Sequence, residues 1–379
     1  MRTVGVEEEL LLVDRESGEP RALSSAVLAR AARDPEVRRQ PSARQPDDYR
    51  EPEEETFEKE LHGEQLEFAT QPRTSMDDLA EEVARWRGDA ARHAGDVGAA
   101  VAALATSPLP VNPSVNPGSR FQWMEEQFGL TTQEQLTCGC HVHVSVDSDE
   151  EGVAVIDRIR AWLPVLVALS ANSPFWQGND SLYSSYRSRV WGRWPMAGPT
   201  EIFGSAARYE EQVAEMVATG VLRDRGMVYF DARLSHRYPT VEIRAADVCL
   251  EATSTVLIAT LARALVETAA REWQADRPPP AHGVASLRLA AWQAARSGLD
   301  DTLLRSATLR PAPVDEVVRS LVDHVRDALE ETGDLGRVRG TTEDLLKHGN
   351  GARVQRDLLH RTGSLRDVVA ECVRRTRPG

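Results

Sequence analysis

Residues 137–146 read TCGCHVHVSV. Cys138, Cys140, His141 and His143 lie together here, and these are the residue types of a zinc site. An extended chain sends successive side chains to opposite faces. The even positions, Cys138, Cys140, Val142, Val144 and Val146, form an apolar face, free cysteine behaving as a small hydrophobe. The odd positions, Gly139, His141, His143 and Ser145, form a polar one. A Cys₂His₂ centre needs all four ligands to converge on one ion, and an unbroken strand forbids that. The cysteines are therefore expected in a core and the histidines on a site face, with a plain solvated surface as the bland alternative.

The same design recurs elsewhere. Residues 3–14, TVGVEEELLLVD, read as a first strand in which Glu7 and Glu9 point the same way, about 7 Å apart. Two carboxylates at that spacing can hold one or two hard cations; a solvated acidic edge is the alternative. A second strand over 60–70 puts Glu60 and Glu64 on one face and Gln65 and Glu67 on the other. In the strand 240–248, Val241, Ile243 and Ala245 face a core, and Glu242 and Arg244 face away from it. Such strands in one sheet would make an open surface of acids and a few bases, able to bind metal-bridged polyphosphate without a glycine-rich loop. No GxxxxGK[ST] motif occurs, and Lys59 and Lys347 are the only lysines.

The rest of the chain frames this sheet. Its 379 residues, 41% hydrophobic, can bury a full core. Four cysteines make no disulfide framework. The net charge of −14 disfavours nucleic acid and anionic membranes as partners. No apolar run approaches the roughly 20 residues of a membrane span, and no apolar signal region precedes the first acids, so a cytoplasmic protein is expected. Helices are expected over 77–105, 153–172, 252–274, 285–296, 314–331 and 351–360, with a further short strand over 228–234. Strands before residue 250 and helices after it indicate an α+β class, as one domain over 1–379. The proline-punctuated polar run 33–55 is expected to be a mobile loop. The loop SSYRSRVWGRWPMAG offers Arg187, Arg189 and Arg193 to an anion. HGNGARVQR reads as a helix start beside an anion, near Arg353 and Arg356; solvated basic surface is the alternative for both.

Taken together, GVEEELLLVD, HGEQLEFATQP, CGCHVHVSV, NSPFWQGNDSLYSSYRSRVWGRWP, TVEIRAADV and NGARVQR resemble the carboxylate–amine ligases of the glutamate–cysteine ligase type 2 family, from about residue 3 to 360. The order of these segments carries the resemblance more than any one of them. It implies a glutamine-synthetase-like catalytic fold whose curved antiparallel sheet binds ATP and Mg²⁺ on its concave face. By the same resemblance, Glu7, Glu9, Glu67, His141 and Glu242 ligate Mg²⁺. Arg244 contacts phosphate, Arg187 takes the substrate carboxylate or the transferred phosphoryl group, and Arg353 and Arg356 contact the nucleotide. Related ligases can place another residue at His143.

The implied reaction has two steps: ATP phosphorylates the γ-carboxylate of glutamate, and an amine, cysteine's in the named activity, displaces phosphate to form the amide. Weak activity with cysteine, another amine being the true acceptor, is compatible with the family, as is a homo-oligomer. Residues 33–55 depart from the family core and read as a lid or an insertion. Two competing readings are a metal-dependent amide hydrolase on the His/Glu face and a nucleotide- or metal-binding protein without turnover.

Overall fold

The structure, a computed structural model, describes residues 1–34 and 57–377. From residue 35 on, the expected loop over 33–55 lies outside the described residues. The strands run in chain order as β1 (Val4–Asp14), β2 (Gln65–Ala69), β3 (Ala99–Ala102), β4 (Gly139–Ser145), β5 (Phe175–Trp176), β6 (Asn179–Asp180), β7 (Ala232–Leu234), β8 (Thr240–Asp247), β9 (Thr302–Leu304) and β10 (Pro311–Pro313). β1, β2, β3, β4, β7 and β8 form one sheet in the order β2–β1–β4–β8–β7, with β3 also on β1. Every pairing in it is antiparallel. Leu11 pairs with both Gln65 of β2 and Ala102 of β3, so β3 continues the edge of β1 that β4 occupies over residues 4–8. β5–β6 and β9–β10 are separate hairpins. The α+β class and the antiparallel sheet are as expected.

Alternation decides which face of the sheet is covered. Val4, Val6, Cys140, Val142, Val144, Val241 and Ile243 share one apolar core, and Leu10, Leu12, Leu66 and Phe68 belong to a second one beside it. Each such side chain contributes about 1.5–3 kcal/mol when fully removed from water. The helices Met76–Asp96, Leu163–Ser170 and Ala252–Gln274 pack on the sheet. One charged residue breaks the apolar face: Glu8 is fully buried there. Arg87, also fully buried, answers it from the helix Met76–Asp96, with Nε and Nη2 donating to the two carboxylate oxygens at 2.8 and 2.7 Å.

The expected helix over 77–105 is a helix followed by a strand. Ser75 caps the helix Met76–Asp96, its side chain accepting from Asp78 N at 3.3 Å, with Asp77 and Asp78 in the first turn. Gly98 then takes φ +79, a left-handed turn that ends helical propagation. The alanines that suggested more helix form β3 instead, buried along its whole length between the helices Met76–Asp96 and Leu365–Thr376. Small side chains let that strand lie close to both helices, and tertiary burial overrides local propensity.

Other boundaries move for local reasons. Residues 153–172 hold two helices, Asp149–Ile159 and Leu163–Ser170, the second starting with proline in its first turn. Residues 314–331 are divided at Val325, whose φ of −100° and ψ of 11° leave the helical region. β2 begins at Gln65, not residue 60. The helices Leu335–His348 and Leu365–Thr376 were not anticipated. The helix Ala252–Gln274 amends the membrane expectation: it is long and apolar enough to span a bilayer, but 78% of its apolar window is buried inside the protein.

Candidate metal and anion site

Cross-strand register assembles the other face of the sheet into a charged, largely buried stripe. Glu67 of β2 stands opposite Glu9 of β1, and Glu7 opposite His141 of β4. His143 stands opposite Glu242 of β8, and Glu242 opposite Arg233 of β7. His141 Nδ1 lies 3.2 Å from one oxygen of Glu7 and His143 Nε2 lies 3.1 Å from the other. His143 Nδ1 lies 3.0 Å from Thr240 Oγ1. Between β4 and β8 the register slips at Cys140/Val142, a bulge that fits an extra residue on β8 beside Arg244.

Three overlapping donor sets result: Glu7, His143 and Glu242; Glu7, Glu67 and His141; and Glu9, Glu60 and Glu67. Within each set the ligand atoms lie within 4.8 Å of one another. Glu60 was expected on the face opposite Glu67. The structure corrects this, because residues 60–64 precede β2 and do not alternate with it.

Charge is balanced at one end of the stripe and not at the other. At β8, Arg244 and Arg233 outweigh burial and hold the Glu242 carboxyl well below its usual range; Arg233 Nε donates to it at 2.7 Å. Burial would raise Glu7, but His143 and His141 hold it well below the usual range. Glu7 in turn lifts His143 against burial, while burial and then Arg244 push His141 down to about 4. At β2 the carboxylates crowd one another, and Arg187 and Arg244 offset only part of the cost. Burial and then Glu60 push Glu67 well above its usual range and Glu9 up to about 7, although Gly139 N donates to Glu9 at 2.6 Å. His141 Nε2 is buried with no hydrogen-bond partner among the described residues, its nearest acid being Glu9 at 3.9 Å. Clustered acids, beside an imidazole nitrogen without a hydrogen bond, fit a divalent cation, and the predominance of carboxylate oxygens in the donor sets suits Mg²⁺ or Mn²⁺.

Two of the expected arginines sit beside this stripe. Arg187 is 2% exposed, and its Nε has no hydrogen-bond partner among the described residues. Its Nη2 lies 3.5 Å from the Arg244 carbonyl, and both guanidiniums lie over the Trp191 ring, at 5.5 and 5.6 Å from its centre. Asp247, at the end of β8, anchors the loop that carries Arg187: it accepts from Asn172 N at 2.9 Å, Ser173 Oγ at 2.7 Å and Ser185 Oγ at 2.8 Å. Ser173 Oγ accepts in turn from Arg187 N at 3.0 Å. Gly139 leaves the space that the Arg187 guanidinium occupies: a Cβ there would stand 2.2 Å from Nη2, and the guanidinium would have to move. The glycine between two cysteines was the signal in the sequence, and the arginine that needs it lies 48 residues on, too far for local pattern to reveal.

The remaining expectations separate from the stripe. Arg193 pairs with Glu134 at 2.6 Å. Arg353 Nε donates to Asp300 at 2.7 Å, and Arg356 Nη2 lies 2.8 Å from Asp180. Arg356 borders a separate cavity of about 330 Å³, with Trp292, Arg296 and Asp301. Neither Arg353 nor Arg356 contacts a residue of the stripe among the described residues. The zinc alternative is closed: Cys138 and Cys140 are buried in the apolar cores, and burial pushes both thiols well above their usual range.

The profile of the glutamate–cysteine ligase family 2 (GCS2) matches residues 3–371. A Streptomyces avermitilis protein provisionally named glutamate–cysteine ligase 2-1 is 66% identical over 376 residues, covering 99% of both chains. A Streptomyces coelicolor protein provisionally named glutamate–cysteine ligase 2 is 65% identical over the same length, again covering 99% of both. Among solved structures, Francisella tularensis glutamate–cysteine ligase in complex with AMP aligns with a TM-score of 0.69 at 12% identity, over 99% of this chain and 88% of that one.

Proposed function

The chain belongs to the glutamate–cysteine ligase family 2, and from that premise we propose that it is an ATP-dependent, ADP-forming carboxylate–amine ligase that makes a γ-glutamyl amide through an acyl phosphate. The observation that carries the proposal is the run of register pairs Glu67–Glu9, Glu7–His141 and His143–Glu242 beside two arginines. Phosphoryl transfer needs charge neutralisation and in-line positioning more than covalent help.

Glu7, Glu9, Glu67, His141 and Glu242, joined by His143 and Glu60, would hold Mg²⁺. Bound there, it would offset the charge of the triphosphate. Arg187, buried and short of partners, receives the substrate carboxylate or the phosphoryl group in transfer. Arg244 adds positive charge to the same spot and is kept in place by Glu242 and the Trp191 and Tyr229 rings. In the second step the amine nitrogen attacks the acyl carbon, the carbon–oxygen bond to phosphate breaks, and inorganic phosphate leaves. Arg353 and Arg356 receive no nucleotide role in this proposal, because Asp300 and Asp180 already neutralise them.

The test is phosphate release from ATP with Mg²⁺ and glutamate, across a panel of amines that includes cysteine and a no-amine control. Amine-stimulated release with a matching amide product is expected and identifies the acceptor. Absence of release with every amine, despite bound nucleotide, overturns the ligase reading.

A further inference from the structure

Asp231 immediately precedes β7 and, by the bond from Arg244 N to its carbonyl, continues the β7–β8 register one step, opposite Arg244; it has no part in the reaction proposed for the stripe. Tyr229, Asp231 and Arg233 alternate with Phe230 and Ala232. The latter two are buried in the apolar core. Arg233 reaches Glu242, and Tyr229 lies 4.9 Å from the Trp191 ring and 5.8 Å from the Arg244 guanidinium. Standing opposite Arg244 in the ladder, Asp231 lies at the stripe's arginine end. Its backbone is held firmly there: its carbonyl accepts from Arg244 N at 2.9 Å, and its N–H donates to Gly198 O at 3.0 Å.

Its carboxyl makes no hydrogen bond or ion pair with any described residue. The positive charges that act on it are those of Arg187, then Arg288, which is exposed on its helix, and Arg189. Among the described residues none of the three has a carboxylate within ion-pair distance, and Arg187 Nε is buried without a hydrogen-bond partner. The site thus holds one free anion among free cations, each kept from pairing with the other. That pattern is complementary to a zwitterion, whose ammonium seeks the carboxylate and whose carboxylate seeks a guanidinium.

We infer that Asp231 takes the α-ammonium of the amino-acid substrate whose side-chain carboxylate is activated, with Arg189 and Arg288 favouring its α-carboxylate. This rests on the ligase reading above and selects the donor over the acceptor. An acceptor nitrogen must lose its proton before it attacks, whereas the donor's α-ammonium passes through the reaction unchanged. Burial, opposed by Arg187, pushes the Asp231 carboxyl up to about 6, and an ammonium seated against it would relieve that cost.

The experiment is calorimetric binding of glutamate and of glutarate, the same dicarboxylate without the ammonium, to the full chain with Mg²⁺ and a non-hydrolysable ATP analogue. Wild-type protein is expected to bind glutamate roughly tenfold or more tightly than glutarate, and Asp231→Asn to erase that preference by weakening glutamate alone. Asp231→Glu, which keeps the charge, retains part of the preference. Equal binding of the two by wild type, binding of neither, or an Asp231→Asn protein that keeps the preference overturns the assignment. So does a variant in which only the acceptor's KM rises. The wild-type comparison stands even where a variant fails to fold. Binding also needs no turnover, so a failed ligase assay and a failed ammonium subsite give different results.

Discussion

Glu8 and its neighbours Glu7 and Glu9 differ only in the face of β1 they occupy. On the covered face, Glu8 accepts from Arg87 Nε at 2.8 Å, Arg87 Nη2 at 2.7 Å and Thr255 Oγ1 at 2.5 Å, and the spare donors of Arg87 reach the carbonyls of Leu250 at 2.9 Å and Cys249 at 2.7 Å. On the other face, Glu9 meets Glu67 and Glu60, and the nearby Arg187 has a nitrogen without a hydrogen bond among the described residues. The first arrangement is closed: every charge is answered within the protein. The second is short of positive charge at β2 and has a free donor at Arg187. Burial alone does not distinguish architecture from a site; the completeness of the partners does.

The largest effect should come from breaking the closed arrangement. Arg87→Met leaves Glu8 buried without its counter-charge and is expected to cost about 3–5 kcal/mol in urea denaturation. A loss under about 1 kcal/mol would mean that the pair is not what ties β1 to its helix. The mirror experiment is Glu67→Gln on the other face. Turnover is expected to fall at least about 100-fold, equivalent to about 2.7 kcal/mol of barrier, with the melting temperature unchanged or raised, since a crowded acid has been removed. A variant that loses stability instead would place Glu67 with Glu8 as architecture.

His62 offers a third way of being buried. It is fully buried, and burial, opposed by the backbone of Thr132 and Ser114, pushes it down to about 4. With the folded value below the unfolded one, near 6.5, the unfolded chain binds the proton first, so stability falls as pH drops from about 6.5 towards 4. The slope approaches about 1.4 kcal/mol per pH unit. His62→Gln should therefore lose about 2 kcal/mol less than wild type between pH 7 and pH 5; identical losses would show that other groups set the acid limit. The smallest effect belongs to the zinc question. Cys138→Ser with Cys140→Ser buries two hydroxyls in apolar surroundings and should cost about 1 kcal/mol at each, with the metal dependence of turnover intact. Loss of that dependence would bring the thiols back as ligands.

Much of this was legible before any coordinates. Strand alternation placed Glu7, Glu9, His141, His143, Glu242 and Arg244 on one face and the two cysteines on the other, and the order of the motifs pointed to the family. Alternation is a property of the extended backbone itself, so it holds wherever the strand packs. Helix ends were less legible. The alanines of β3 suit a helix by propensity, and only burial between two helices decided otherwise.

What only the tertiary structure decided is which charge meets which. The sequence by itself put Glu7 and Glu9 on one face of their strand, but gave no sign that Glu8, on the other, is answered by Arg87, 79 residues away. It carried no sign that Glu60 folds in beside Glu67, that Gly139 clears space for Arg187, that Asp180 and Asp300 neutralise Arg356 and Arg353, or that Asp231 stays unpaired among arginines. The reason is physical: the face of a strand is set by torsion angles within a few residues, whereas the partner of a charge is set by where distant parts of the chain return.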